Sequence, residues 1–551
     1  MKERVTVKAP PAHRVLVAIT AVVLVMALGG CVMVGPEYVP PEADVNPSWL
    51  ESSPALPEQP PEIRAWWTAF DDPVLTRLVH EAYEQNLSLR AAGLRVLQAR
   101  AVRGIAVGEF FPQEQEIQAD YSKNQISKND LNNPPFDNFQ TAGVSFDATW
   151  ELDFWGKFRR NIHAADAALL ASIADYDDVL VTLVAEVGLT YVEIRTFERR
   201  IELAKVNVAL QRQSLELTES RYRNGKVSQL DVTEARATLT NTQASVPGLE
   251  SSLRDAKLSL GVLLGRTPSE LEQALAGGSG IPTAPAEVAI GVPADLLRRR
   301  PDVRSAERAA AFQSEQIGIA TADLFPSISV GGSLGYEASD AGNLSLGNNL
   351  FDGDSFIWSI GPTLSWPILN YGRIRNNIRV QDAAFQEAAV NYQNTVLQAA
   401  AEVESSLYGF LKSREQLAYL TESAESARQS LELSSIQYTE GETDFLRVDI
   451  AAANLSRQQD SQATAEGRVA LNLIGAYKAL GGGWELRLGR EFIPQTMIKQ
   501  MRGRTNWGNI LAPPDYSSTT DLGFERPADT NDTYLAPQTQ PEPGRGREGS
   551  E

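Results

Sequence analysis

Cys31 is the single thiol in a chain of 551 residues that holds three histidines. One thiol and three scattered imidazoles show no spaced Cys/His metal-ligand pattern, and a lone thiol cannot close an intrachain disulfide. His80 and His163 have no motif partner. With 70 Asp and Glu residues in the chain, carboxylates close in sequence arise by chance, so no acid/base pair stands out. The residues point to no catalysis, no metal and no cofactor. Two uses remain for Cys31, as a site of covalent modification or as a small buried core residue.

The sequence before Cys31 decides between them. Lys2, Arg4, Lys8 and Arg14 precede an apolar run from Val15 to Leu28, which ends in Gly29-Gly30. A membrane-crossing helix needs ~20 apolar residues, so this run is too short, and residues 1–30 read as a cleaved signal peptide. Leu28-Gly29-Gly30-Cys31 is similar to the bacterial lipobox, which implies an acylated Cys31 at the start of the mature chain, and Val32 after it implies sorting to the outer membrane. Buried acyl chains contribute ~0.8 kcal/mol per CH2. The anchor must come from them, because 50 Lys and Arg against 70 acids leave a formal charge of −20. That charge also repels phosphate backbones and argues against nucleic acid as a partner.

The chain matches itself. Gly104-Ile105-Ala106 corresponds to Gly318-Ile319-Ala320 and Phe111-Pro112 to Phe325-Pro326, while Gly156, Gly225 and Gly265 correspond to Gly372, Gly441 and Gly481. Matches of constant order at offsets of 214 and 216 residues indicate two structural repeats. The period is too long for a solenoid, so each repeat is expected to be a large unit of its own. Boundaries follow: a lipidated N-terminal segment at 31–85, repeats at 86–265 and 300–484, and a Gly/Pro/Ala-rich hinge at 266–299. A tail covers 485–551, and from Glu491 its composition predicts a disordered or surface-wrapped segment.

Both repeats read helix, strand, loop, strand, long helix, turn, helix. Alternation predicts strands at about 114–122 and 142–152, with Val144, Phe146, Ala148 and Trp150 on one face, and again at about 327–337 and 355–366. Proline-free stretches predict long helices at 156–223 and 372–439, followed by return helices at 227–264 and 443–480. Leu180, Val184, Val187, Tyr191 and Ile194 follow 4-3-4-3 spacing, and Leu203, Leu210 and Leu217 recur every seven residues, as in seams between helices.

Strands of about ten residues match a membrane-crossing β-strand. Trp150, Trp155, Trp358, Trp366 and Tyr336 suit interfacial girdles. Four strands cannot close, and an open edge in lipid leaves backbone groups unsatisfied at several kcal/mol each, so further copies must complete the sheet. Two copies would give a barrel filled by side chains. Three would give twelve strands around an aqueous lumen, the preferred reading over a soluble sandwich. The fold class is therefore mainly α with a transmembrane β-barrel.

From Cys31 to Trp484 the chain resembles the outer membrane factor family, the TolC-like proteins, and most closely the lipoprotein branch that serves resistance-nodulation-division efflux pumps. The resemblance rests on Val34-Gly35-Pro36-Glu37-Tyr38, Trp150-Glu151-Leu152-Asp153, Leu297-Arg298-Arg299-Arg300-Pro301-Asp302-Val303-Arg304 and Ala479-Leu480-Gly481-Gly482-Gly483-Trp484. It implies a homotrimer with a twelve-stranded barrel continued by a helical periplasmic tunnel. A periplasmic adaptor would dock at the tunnel tip, through Gly225, Lys226, Val227, Ser228, Gly441, Glu442 and Thr443. Glycines there also serve ordinary turn chemistry. An acidic gate is implied nearby, but the usual aspartate positions hold Arg447 and Ile450, with Asp449 one place away; Tyr438 and Asp231 are the other gate candidates. The implied function is a passive exit duct of a tripartite efflux pump with an inner membrane transporter of that class. A conduit for type I protein secretion and a non-conducting, lipid-anchored scaffold are the alternatives.

Overall fold

The computed structural model describes residues 32–51, 53–54, 56–57, 63–127, 138–278, 280–285, 289, 293–340 and 350–511. Residues 1–30, expected to be a signal peptide, Cys31, the loops 128–137 and 341–349, and the tail 512–551 lie outside them. Helices α1 (Pro73–Gln85) and α2 (Leu87–Gly108) lead into strands β1 (Glu114–Gln125) and β2 (Asn138–Glu151). Then come α3 (Lys157–Arg223), α4 (Gln229–Leu264) and the short α5 (Pro293–Arg299). The series is repeated by α6 (Pro301–Ala322), β3 (Ser327–Ser339), β4 (Phe356–Ser365), α7 (Arg373–Glu440) and α8 (Phe445–Ala479), and closes with α9 (Gln495–Arg504). The duplication shows in length, since α2 and α6 both have 22 residues, and α3 and α7 have 67 and 68.

Two compact units form, and neither is one repeat. One contains Met1–Pro41, Gln98–Leu169 and Glu307–Asn391; the other contains Glu42–Leu97, Leu170–Ala306 and Tyr392–Glu551. The expectation that each repeat is a unit of its own is thereby corrected. The reason lies in strand pairing: the sheet order is β1-β2-β3-β4, so β2 of the first repeat is hydrogen-bonded to β3 of the second. A sheet built from both halves cannot be divided between them.

In the first unit, α2 ends at Gly108 and α6 at Ala322, each four residues ahead of a proline, Pro112 or Pro326, that could not continue the helix. All strand pairs are antiparallel. Below the sheet, the indole Nε1 of Trp155 donates to the Pro326 carbonyl at 2.8 Å and that of Trp366 to the Leu324 carbonyl at 3.0 Å. Trp155 also stacks on Phe325 at 4.6 Å. Arg160, almost fully buried, fixes the N-terminal segment by donating to the Val34 carbonyl at 2.8 Å and to Glu315 at 2.9 Å.

The second unit has a helical core. Leu180, Val184, Val187, Tyr191 and Ile194 are all fully buried, and Trp66 stacks on Tyr477 at 5.5 Å. The arginine-rich motif proves to be a positioning device. Arg300 donates to the Ala479 carbonyl at 2.5 Å and pairs with Asp302 at 2.7 Å and Glu402 at 2.8 Å, while Arg304 and Arg487 converge on the buried Asp177. The seven-residue leucine stripe differs from its expectation: Leu210 and Leu217 are 44% and 40% exposed, so within one chain that stripe is surface rather than seam. The tail, expected to be disordered or surface-wrapped, is described as far as residue 511. Residues 491–511 are folded, with Ile498, Met501 and Leu511 packed against Leu97. Few apolar residues per turn hide α9 from composition, yet buried Ile498 and Met501, with partly buried Met497 beside them, seat it.

Candidate functional site: paired helix turns and a two-faced sheet

Two places carry the candidate functional side chains, one in each unit. The first is the pair of turns joining α3 to α4 and α7 to α8. Gly225 takes φ +62° and Gly441 φ +81°, the left-handed region that side chains resist. The amide of Gly225 bonds to the Tyr222 carbonyl and that of Lys226 to the Arg221 carbonyl, both at 2.9 Å. Gly441 and Glu442 repeat the pattern onto Tyr438 and Gln437, at 3.1 and 2.8 Å. This paired closure satisfies the last carbonyls of each long helix. A Cβ at either glycine would meet nothing within 4 Å, so the constraint is backbone angle and the turns are sterically open. Gly225, Lys226, Ser228, Gly441 and Glu442 are exposed, and Val227 and Thr443 half-buried.

The return helices begin differently. Ser228 caps α4 in a full capping box: its backbone amide and hydroxyl each reach the Asp231 carboxylate at 2.7 Å, and the Asp231 amide donates back to the hydroxyl. Asp231 thus spends its carboxylate on its own helix end. In α8 the corresponding residues are Asp444 and Arg447, and Asp444 makes no side-chain cap bond. Arg447 is exposed and Asp449 half-buried.

Tyr438 is 3% exposed and packs with Ala235, Phe445 and Val448. The Arg221 guanidinium lies 4.3 Å from the centre of its ring and donates at 2.6 Å to the carbonyls of both Tyr438 and Thr439. One arginine of the first repeat therefore ties down the last turn of the second repeat's long helix. Sequence reading missed Arg221, because its partners lie 217 and 218 positions away.

The second place is the sheet. Registered neighbours share a face, and one row runs Ile117, Phe146, Leu334, Trp358 across all four strands, with a second of Ala119, Val144, Tyr336, Phe356 beside it. Trp358 is 69% and Ile360 70% exposed in the single chain. On the opposite face, one step beyond the first row, stand Glu116, Asp147, Ser333 and Ser359, with Glu114, Asp120 and Glu337 on the same face. Among the described strand residues that face carries no Lys or Arg. Such a sheet can divide an apolar phase from water and present carboxylates to the watery side.

Comparison with known proteins follows the same division into repeats. Residues 78–266 and 292–482 match the family described as outer membrane efflux protein. The chain belongs to the outer membrane efflux protein family. Nodulation protein T of Rhizobium leguminosarum bv. trifolii is 33% identical over 447 residues, covering 80% of this chain and 92% of that protein. The toluene efflux pump outer membrane protein TtgI of Pseudomonas putida is 30% identical, with 84% and 97% covered. The solved structure of the outer-membrane channel OprN superposes with a TM-score of 0.76 at 34% identity, covering 82% of this chain and 99% of that one. Like other outer membrane efflux proteins, this chain is the outer membrane channel component of an efflux pump, a conduit rather than an enzyme.

Proposed function

We propose that three copies of this efflux protein close a twelve-stranded barrel whose apolar face meets lipid and whose acidic face lines the passage. The observation that carries this reading is the sheet: among the described residues β1 and β4 each pair on one side only, while their outer rows are apolar. Open edges in hydrocarbon are untenable, and identical neighbours supply the missing partners at least cost. Leu210 and Leu217, exposed in one chain, give the neighbouring copies a helical surface to cover. Cys31 carries the acyl anchor.

On this reading the paired turns form the closed periplasmic end. An adaptor docks on Gly225, Lys226, Val227, Ser228, Gly441, Glu442 and Thr443, whose open surroundings leave room for a partner helix, and an energised inner membrane transporter of the resistance-nodulation-division class drives the cargo. Opening separates the turns, so Arg221 must release Tyr438 and Thr439. Tyr438 acts in the gate as the surface Arg221 holds; Asp449 and Arg447 face the opening, and Asp231 keeps α4 capped throughout. The passage accepts small molecules without chemical steps. The similar toluene efflux pump protein TtgI and pyoverdine export protein OpmQ of Pseudomonas putida support small-molecule efflux over protein secretion.

The mass of the detergent-solubilised particle tests the assembly: three chains are expected, and a monodisperse single chain with folded strands would refute it. Palmitate labelling lost in Cys31→Ser would support the anchor, and unchanged labelling would remove it.

A further inference from the structure

Helix α4 carries Pro247 in its interior, followed directly by Gly248. The proline has no amide to give the Gln243 carbonyl four residues back, and its ring crowds that carbonyl. Proline is the least favourable residue inside a helix and glycine the next. Packing within the chain demands neither. Both are exposed, and a Cβ at Gly248 would meet nothing within 4 Å. The second repeat does without the pair: at the offset of 216 residues that joins Gly225 to Gly441 and Gly265 to Gly481, they fall on Ala463 and Thr464 of α8.

Burial divides the two helices in the same way. Helix α4 buries Val232, Ala235, Leu239 and Thr242 toward the turn, and Ala256, Leu260 and Leu264 toward its far end, with nothing buried between Thr242 and Ala256. The corresponding stretch of α8 buries Ala463, Ala465, Gly467, Val469 and Ala470. The two ends of α4 also have different holders. Toward the turn, Ala235 packs with Tyr438, Phe445 and Val448. At the far end, Asn86 donates to the Leu263 carbonyl at 2.9 Å and Lys257 pairs with Glu272 at 3.1 Å. From Gln243 to Asp255, among the described residues, one side-chain bond leaves the helix, between exposed Lys205 and Glu250; such surface pairs hold weakly. Beside this stretch lies a cavity of about 400 Å³, lined by Thr242, Ser245, Gly248 and Leu249 of α4 with Ala204 of α3 and Ala453 of α8. Helices α3 and α8 are laced together there by Arg200, which bonds to both oxygens of Asp460 at 2.7 and 3.0 Å.

We infer that Pro247-Gly248 is a hinge built into α4: the part from Gln229 to Val246 swings about it with the paired turns, while the part from Leu249 to Leu264 stays seated. The cavity gives the swing room, and the missing bond at Gln243 lowers its cost. Helix α8, packed throughout the matching stretch, moves as one rod. The two repeats therefore contribute unequally to opening, the first by bending a return helix and the second by displacing one. This inference rests on the reading that the turns separate when the passage opens.

The test is the double variant Pro247→Ala with Gly248→Ala in the full-length protein, read by amide exchange and by planar-bilayer recording. Both positions are exposed, so the variant should fold and unfold at or above the parent's temperature. In the parent, amides from Gln243 to Ser252 should exchange at least about tenfold faster than those from Gln459 to Arg468. In the variant that excess should fall by at least about tenfold, and the passage should open at least about tenfold less often. Equal exchange along the two stretches of the parent would overturn the hinge. So would openings as frequent as the parent's in a variant whose exchange has slowed, because α4 would then be stiffer without consequence. A parent that never conducts would refute the duct reading and not the hinge, which the exchange comparison then decides alone.

Discussion

Asp231 and Arg447 occupy corresponding places in the two repeats, 216 residues apart, and Asp231 closes a capping box while Arg447 stands in a helix start without one. Duplication preserved the turn glycines but let the caps diverge. Capping exchanges are typically worth about 1 kcal/mol. Ser228→Ala should therefore speed amide exchange in the first turn of α4 roughly fivefold, whereas Asp444→Ala should leave the start of α8 unchanged. Equal responses at both helix starts would contradict the asymmetry.

The glycine pair should behave symmetrically. Alanine at Gly225 or Gly441 meets no neighbour, so its cost is the left-handed backbone alone, about 1–2 kcal/mol. Each substitution should lower the chemical unfolding midpoint by a similar amount, and asparagine, which tolerates that region better, should recover part of the loss. A midpoint unmoved by alanine would mean the turns relax to another conformation.

How much of this was legible beforehand depends on range. The register of Val144, Phe146, Ala148 and Trp150 is written in local alternation, and the repeat is written in Gly225/Gly441 and Gly265/Gly481, so strands, long helices and turns could be read directly. Ser228-x-x-Asp231 was equally visible as a cap, yet the family pattern drew attention to it as a gate. Arg221 carries no local signal, since its worth comes from carbonyls more than two hundred residues away. The division into two units was hidden for the same reason: only the pairing of β2 with β3 decides it. Helix α9 was obscured by sparse apolar residues, and its burial depends on Leu97.

If separation of the turns opens the passage, the Arg221 latch sets how often that happens. Arg221→Gln removes two 2.6 Å bonds and the contact over Tyr438. Open events in planar bilayers should become about ten times more frequent, a shift of about 1.4 kcal/mol. Arg221→Lys should fall between, because an ammonium lacks the fork that serves two carbonyls at once. Unchanged gating in both variants would release Arg221 from the role.

Asp178 gives a pH dependence. Burial first, then the neighbouring carboxylates of Asp302 and Asp175, raise it to about 6 against the favourable pull of Arg300. A carboxyl held above its unfolded value binds its proton more tightly in the folded chain. Its contribution is thus fully present below pH about 4 and is lost as pH rises through about 6. Asp178→Asn should stabilise the protein at pH 8 by on the order of 2 kcal/mol and leave stability at pH 4 nearly unchanged. A gain of equal size at both pH values would assign the effect to something other than ionisation.

The reversal potential of single channels across a potassium chloride gradient tests the proposed acid-lined passage most directly. Discrete steps with a reversal potential displaced toward the potassium equilibrium value are expected, and the displacement should shrink when Glu116→Gln and Asp147→Asn are combined. Absence of steps from folded, membrane-inserted protein, or a displacement toward the chloride value, would contradict a barrel whose inner face carries Glu116, Asp147 and Glu337.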